Sequence, residues 1–150
     1  MASYRFAVIV SRFNEEITEG LLRGAQEYFA EASVPDDAIR VFRVPGAFEI
    51  PIAAQRLGES GEYDAIVCLG CLIKGDTMHF EYIAEAASHG IAQAAAATGV
   101  PMAFGVLTTL TEEQAVERSG SGPGNKGREA AAAAVEMAKL FRTLDEEMGG

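Results

Sequence analysis

The chain contains no tryptophan, only 2 histidines and 2 cysteines, and only 5 prolines among 150 residues. Few prolines together with 49% hydrophobic residues argue against disorder, because such a chain can bury enough apolar surface to fold. No apolar run approaches the ~18 residues that a membrane-spanning helix needs, so no membrane contact is expected. Basic residues are also scarce, with 12 Lys and Arg against 22 Asp and Glu and a net charge of -10. Nucleic-acid binding is therefore disfavoured, since proteins of that class present basic surfaces.

The two cysteines, Cys68 and Cys71, form a C-x-x-C pattern that serves redox chemistry or zinc binding in other proteins. The chain has no second cysteine pair to complete a zinc site. On a strand, residues three apart point to opposite faces, which opposes a disulfide. We therefore favour a packing role in a buried strand. Two cysteines without a signal peptide predict a reducing, cytoplasmic location.

Apolar strand-like segments alternate with amphipathic helical segments along the whole chain. Strands are predicted at residues 5–10, 39–44, 65–69 and 102–107. Helices are predicted at residues 16–32, 47–57, from the turn at 74–77 to Gly99, at 111–118 and at 128–147. This alternation predicts an α/β fold whose four-stranded parallel sheet carries helices on both faces. The chain is long enough for a single domain, residues 1–150, with its own core.

Polar and aromatic residues follow the predicted strands, at the edge where open α/β sheets bind ligands. Phe13 lies in the polar loop after the first strand, and Glu49 directly follows the second. Phe104 lies within the fourth strand. Each of Phe13, Phe48 and Phe104 taken singly is better explained as a core residue, with Phe13 the least suited to that role.

The turn after the third strand carries Lys74, Asp76 and Thr77, and His79 begins the next helix. Backbone N–H groups at a helix start can bind an anion, and a threonine hydroxyl can add a hydrogen bond. Capping alone explains Asp76 equally well. His79 is suited to general acid–base catalysis, because imidazole exchanges protons near neutral pH. From this segment alone, a half-buried histidine with an ordinary hydrogen bond is the favoured reading.

A glycine-rich stretch at residues 122–127 matches the dinucleotide-binding pattern G-x-G-x-x-G. That pattern requires a preceding strand, whereas a predicted helix precedes it here. We therefore favour a flexible connection that positions Lys126. The alanine run at residues 130–134 fits high helix propensity and a helix–helix interface equally well.

Several segments together resemble the 6,7-dimethyl-8-ribityllumazine synthase family. They are SRFN (11–14), VPGAFEIP (44–51), CLGCLIKGDTMHFEYIA (68–84), FGVLTT (104–109), ERSG (117–120) and GNKGREAA (124–131). The segments follow the family's order and span almost the whole chain. The resemblance implies a flavodoxin-like three-layer sandwich and a transferase that uses no cofactor. The implied reaction joins 5-amino-6-(D-ribitylamino)uracil to 3,4-dihydroxy-2-butanone 4-phosphate, the penultimate step of riboflavin biosynthesis.

The resemblance also implies roles for individual residues. His79 and Arg118 are the implied catalytic residues. The implied substrate-binding residues are Phe13, Asn14, Ala47, Phe48, Glu49, Cys71, Leu72, Ile73, Asp76, Thr77, Phe104 and Lys126, and no metal is expected. Among these, Phe13 would stack on the pyrimidine, Glu49 would bind ribityl hydroxyls, and the turn at 76–77 would hold phosphate. Some of these residues would belong to a neighbouring subunit.

The family forms pentamers, and some members close into icosahedral shells with riboflavin synthase as a partner. The short link at residues 119–124 favours a shell, whereas the few residues before the first strand weaken that expectation. Two other functions are compatible with the fold: a flavin or lumazine binder without synthase activity, and a shell scaffold with a degenerate site. The presence of His79 and Arg118 favours the enzyme over both.

Overall fold

The computed structural model describes residues 3–75 and 78–149. The strands are β1 (Phe6–Ser11), β2 (Ile39–Val44), β3 (Ala65–Ile73) and β4 (Met102–Thr109). The helices are α1 (Glu15–Glu31), α2 (Ile50–Glu59), α3 (His79–Thr98), α4 (Glu112–Ser119) and α5 (Lys126–Met148). Two short 3₁₀ turns, Asp36–Ala38 and Ala47–Glu49, precede β2 and α2. Each predicted element is present; β2 has its predicted bounds, and the ends of the other elements are shifted.

The four strands form one parallel sheet in the order β2-β1-β3-β4. Every residue of β1 is buried, and so are the first eight of β3, as expected for the central strands of a covered parallel sheet. β2 and β4 form the edges and keep exposed positions. The parallel sheet predicted from the sequence is confirmed.

Helices cover both faces of the sheet and separate two cores. Phe6, Val8 and Val10 pack in a core with residues of α1, α4 and α5. Ala7 and Ile9 alternate with them and pack in a second core with residues of α2 and α3. This alternation follows from the twofold period of a strand. The arrangement is the flavodoxin-like three-layer sandwich that was predicted.

The third strand is longer than predicted, because it continues through Gly70 to Ile73 rather than ending at Leu69. Pairing with β4 extends to the same point, where Ile73 lies opposite Thr109. Gly70 is not a turn residue but lets neighbouring side chains pack closely against the strand. A Cβ on it would lie 3.1 Å from Ser11 Oγ and 3.2 Å from Ile50. The extension carries β3 to the edge where ligands bind in such sheets.

The starts of α4 and α5 are fixed by side-chain caps. Thr111 caps α4 by accepting a hydrogen bond from the backbone N–H of Gln114 at 3.2 Å. The Gln114 side chain in turn accepts from the backbone N–H of Leu110 at 2.9 Å. Asn125 caps α5 by accepting from the backbone N–H of Arg128 at 3.0 Å. The helix therefore begins at Lys126, two residues before the predicted start.

The two cysteines lie on opposite sides of the sheet, with Cys71 in the core beside α1 and α5 and Cys68 in the other. Both are free thiols. Burial raises the pKa of Cys68 to about 12 and that of Cys71 to about 11. These thiols are therefore protonated packing groups, as the strand geometry predicted. Among residues 3–75 and 78–149, none of the helices combines the length and apolarity required to cross a membrane.

Candidate active site

A cavity of about 720 Å³ opens where β1, β2 and β3 end, beside the first turns of α3. We call it the first cavity. Of the residues expected at the site, it is lined by Phe13, Ala47, Phe48, Glu49, Leu72, Ile73 and His79. These residues come from three chain segments that the sheet brings to one edge. Asn14 and Cys71 do not line it, although each is adjacent in sequence to a residue that does, Phe13 and Leu72 respectively.

The β1–α1 turn holds the Phe13 ring in the open, 67% exposed. The backbone N–H groups of Arg12 and Phe13 donate to Val44 and Pro45 oxygens at 2.8 and 3.0 Å, continuing the β1–β2 ladder. Asn14 adopts a left-handed conformation, with φ of 61°. Backbone hydrogen bonds therefore fix the position of the ring without burying it.

Asn14 ties the same turn to β3. Its side-chain amide donates to the carbonyl oxygen of Cys71 at 3.0 Å. This contact links the turn that carries Phe13 to the strand that carries Leu72 and Ile73 into the cavity. The structure therefore gives Asn14 and Cys71 a positioning contact, and their predicted contacts with substrate stay predictions.

The segment after β2 places a carboxylate at the cavity wall. Ala47–Glu49 forms a single 3₁₀ turn, closed by the Glu49 N–H donating to the Gly46 oxygen at 3.1 Å. A Cβ on Gly46 would lie 3.2 Å from a carboxylate oxygen of Glu49. Among the described residues, that carboxylate forms no hydrogen bond or ion pair. It is therefore available to accept hydrogen bonds from a hydroxylated ligand.

His79 is the first residue of α3 and lines the first cavity with an exposed side chain. Lys74, directly after β3, has its ammonium group 3.5 Å from the Glu81 carboxylate. The predicted anion site at Asp76 and Thr77 lies outside the described residues. No side chain caps the start of α3 among the residues that the structure describes.

A second cavity, of about 460 Å³, lies at the β4 edge of the sheet. It is lined by Phe104, Arg118 and Lys126, which complete the predicted set. Arg118 is exposed in the last turn of α4 and forms no ion pair with any described residue. The Lys126 ammonium lies 3.0 Å from Glu129. Within the described part of the chain, the two cavities share no lining residue.

Tyr82, which was not among the predicted site residues, also lines the first cavity. Its ring is 66% exposed on α3, three residues after His79. That spacing places both side chains on one helix face and was the available signal. Phe80 and Ile83 of the same helix also line the cavity.

The donor set offers no metal site: in residues 3–75 and 78–149, no group of three His, Cys, Asp or Glu residues is placed to hold a metal ion. The site instead combines exposed aromatic rings, one carboxylate and one imidazole in the first cavity with two cations in the second.

A family model described as 6,7-dimethyl-8-ribityllumazine synthase matches residues 3–142. The chain belongs to this family, the lumazine synthases of riboflavin biosynthesis.

Proposed function

We propose that the protein catalyses the condensation of 5-amino-6-(D-ribitylamino)uracil with 3,4-dihydroxy-2-butanone 4-phosphate. The products are 6,7-dimethyl-8-ribityllumazine, phosphate and water. The observation that carries the proposal is the first cavity, which gathers Phe13, Glu49 and His79 from three separate segments. Family membership supports the assignment of a lumazine synthase. The transferase class and a cytoplasmic location form part of the same proposal.

The first cavity suits the ribitylaminouracil. The exposed Phe13 ring offers a flat apolar face, on which a heteroaromatic ring stacks without using its polar edges. The unpaired Glu49 carboxylate accepts hydrogen bonds from ribityl hydroxyls. A volume of about 720 Å³ accommodates a small substrate pair.

The second cavity suits the phosphate of the other substrate. The Arg118 guanidinium presents a planar set of donors that matches phosphate oxygens in pairs. Lys126 adds a second cation, and its side chain is 36% exposed. As the phosphate departs, these cations stabilise its negative charge, which lowers the barrier to elimination.

The two cavities become one site when copies of the chain associate. Exposed apolar side chains border both: Phe13, Phe48 and Tyr82 the first, Phe104 and Leu110 the second. Two different apolar surfaces on one chain favour a head-to-tail contact, which closes into a ring. We therefore propose a homopentamer in which the second cavity of one subunit completes the first cavity of the next. A closed icosahedral shell and bound riboflavin synthase stay predictions.

The chemistry requires positioning and proton transfer rather than a cofactor. The amine of the pyrimidine attacks the ketone and forms an imine with release of one water, phosphate leaves, and ring closure releases a second water. Holding both substrates together supplies much of the rate, because it removes the entropy cost of their encounter. His79, at the cavity wall, accepts and returns protons during these steps.

The deciding experiment mixes both substrates with the protein and follows lumazine absorbance and phosphate release in parallel. We expect both signals to rise together, well above the spontaneous reaction. A rate equal to that of the protein-free mixture would overturn the proposal. Light scattering on the same sample tests the assembly, because a mass equal to one 15.9 kDa chain would contradict the ring.

A further inference from the structure

Asn125 is a buried polar side chain beside the second cavity, and both its amide oxygen and its amide nitrogen form hydrogen bonds. It is only 3% exposed, at the junction between the α4–α5 link and α5. Its side-chain oxygen accepts from the Arg128 backbone N–H at 3.0 Å. Its side-chain nitrogen donates to the carbonyl oxygens of Gly20 and Gly120 at 3.1 and 2.8 Å. One amide therefore joins α1, the start of the link and the start of α5.

The surrounding backbone leaves room for this amide through two glycines. A Cβ on Gly24 would overlap the Asn125 side chain, and a Cβ on Gly127 would overlap the backbone carbonyl of Leu21. α1 and α5 consequently approach each other closely beside the link. Because α1 packs in the core, it provides a rigid support for the amide.

The position of this junction connects it to both cations of the second cavity. Arg118 lies two residues before Gly120, and Lys126 directly follows Asn125. The cavity is lined by both cations and by Gly124 of the link itself. Any shift of the link relative to α1 therefore changes the separation of the guanidinium and ammonium groups.

We propose that Asn125 is a positioning residue that holds Arg118 and Lys126 at the spacing required by the phosphate of the butanone substrate. This inference rests on the proposed function. Asn125 touches no reacting atom in this proposal, since both cations act between it and the substrate. Replacing Asn125 is therefore expected to change KM for the phosphate substrate rather than KM for the pyrimidine.

The sharpest variant is Asn125→Asp, which keeps the size of the side chain and the cap on α5. It replaces both donated hydrogen bonds by contacts between a carboxylate oxygen and two carbonyl oxygens, which repel. We expect KM for butanone phosphate to rise by ~10-fold or more, because small displacements of positioning groups have large effects. KM for the pyrimidine should change less than ~2-fold. Asn125→Ser also caps a helix but is too short to reach Gly20, and it adds no charge. It must raise KM for butanone phosphate as well, because the new carboxylate of Asn125→Asp by itself repels phosphate.

Val135→Ala is the matched control, because Val135 is a buried residue of the same helix and core, 5% exposed and away from the link. It should lower the melting temperature without changing either KM. Light scattering should give the same mass for all variants. If Asn125→Asp and Val135→Ala affect the two KM values alike, or neither KM changes, Asn125 only stabilises the fold and the inference is overturned.

A calorimetric titration with inorganic phosphate separates this inference from the proposed function. We expect Asn125→Asp and Arg118→Ala to weaken phosphate binding relative to the unchanged protein and to Val135→Ala. If the unchanged protein makes no lumazine, the proposed function fails, and the titration still decides whether Asn125 positions the cations. Phosphate binding of equal strength in Asn125→Asp and the unchanged protein would overturn the inference.

Discussion

The first and second cavities differ in how their functional groups are supported. The first uses the segments that follow β1, β2 and β3, where backbone hydrogen bonds hold exposed rings such as Phe13. The second uses the end of α4 and the start of α5 beside an edge strand, with Arg118 and Lys126 as its charged groups. The difference corresponds to the two proposed ligands: a flat pyrimidine needs apolar faces, and a phosphate needs cations. The described lining of the first cavity contains no lysine or arginine, whereas the second cavity adds the Phe104 ring to its two cations.

The largest effect is expected from Arg118→Ala, which removes the cation of the second cavity that forms no ion pair with the described residues. We expect kcat/KM to fall by ~10³-fold, in the range seen when a group stabilising developing charge is lost. His79→Ala should lose far less, because water or a substrate group replaces part of its proton transfer. Steady-state kinetics on both variants measure the ranking. Arg23→Ala, an exposed arginine of α1 outside both cavities, is the control. An equal or larger loss in His79→Ala would contradict the proposed division of roles.

Mixed assemblies test whether the two cavities meet across subunits. A first-cavity variant, Phe13→Ala with Glu49→Ala, is coexpressed with Arg118→Ala. If neighbouring subunits share the site, random mixing in a ring leaves about a quarter of the sites intact, so activity rises from near background to about that fraction.

The matched control coexpresses the same first-cavity variant with His79→Ala, which carries its defect in the same cavity. No intact site forms in that mixture, whichever subunits meet, so its activity should not exceed the residual activity of the His79→Ala subunits alone. If the Arg118→Ala mixture also shows no recovery, both halves of the site belong to one subunit and the proposed shared site is wrong.

A smaller effect is expected from Phe13→Ala, which affects only the first cavity. Stacking on an aromatic side chain contributes about 1–2 kcal/mol, so KM for the pyrimidine should rise roughly tenfold. The melting temperature should be unchanged, because the ring is 67% exposed. Phe13→Trp keeps an aromatic face and should restore binding. A parallel rise in KM for butanone phosphate would show that the cavities do not divide the substrates.

The first cavity was more predictable from sequence than the second. The residues of the first follow strands, and the carboxyl ends of parallel strands meet at one edge, so alternation alone brings Phe13, Glu49 and His79 together. The end of β3 was mispredicted because Gly70 resembles a turn residue, whereas close packing against Ser11 and Ile50 requires it. That packing depends on tertiary contacts that no local pattern contains.

The second cavity depends on contacts between distant residues, which sequence patterns do not indicate. Asn125 belonged to a glycine-rich segment that favoured a flexible connection. Its amide instead bonds Gly20, 105 positions away, and is buried. The separation of Arg118 and Lys126 from His79 also follows from the strand order, because β4 forms the edge beyond β3. The alternation of elements predicts a parallel sheet without specifying that order.

The smallest effect is expected from Glu129→Gln, which changes only the charge beside Lys126. The Glu129 carboxylate lies 3.0 Å from the Lys126 ammonium and is 67% exposed. Exposed ion pairs contribute little to stability, so the melting temperature should stay the same. In the variant, a phosphate entering the second cavity does not compete with a carboxylate for Lys126 and is not repelled by one. KM for butanone phosphate should therefore fall by ~2-fold. The pyrimidine KM should not change, and the fall should shrink in high salt, because ions screen exposed charges. A fall that is independent of salt, or one shared by both substrates, would show that Lys126 does not act as an exposed cation of the second cavity.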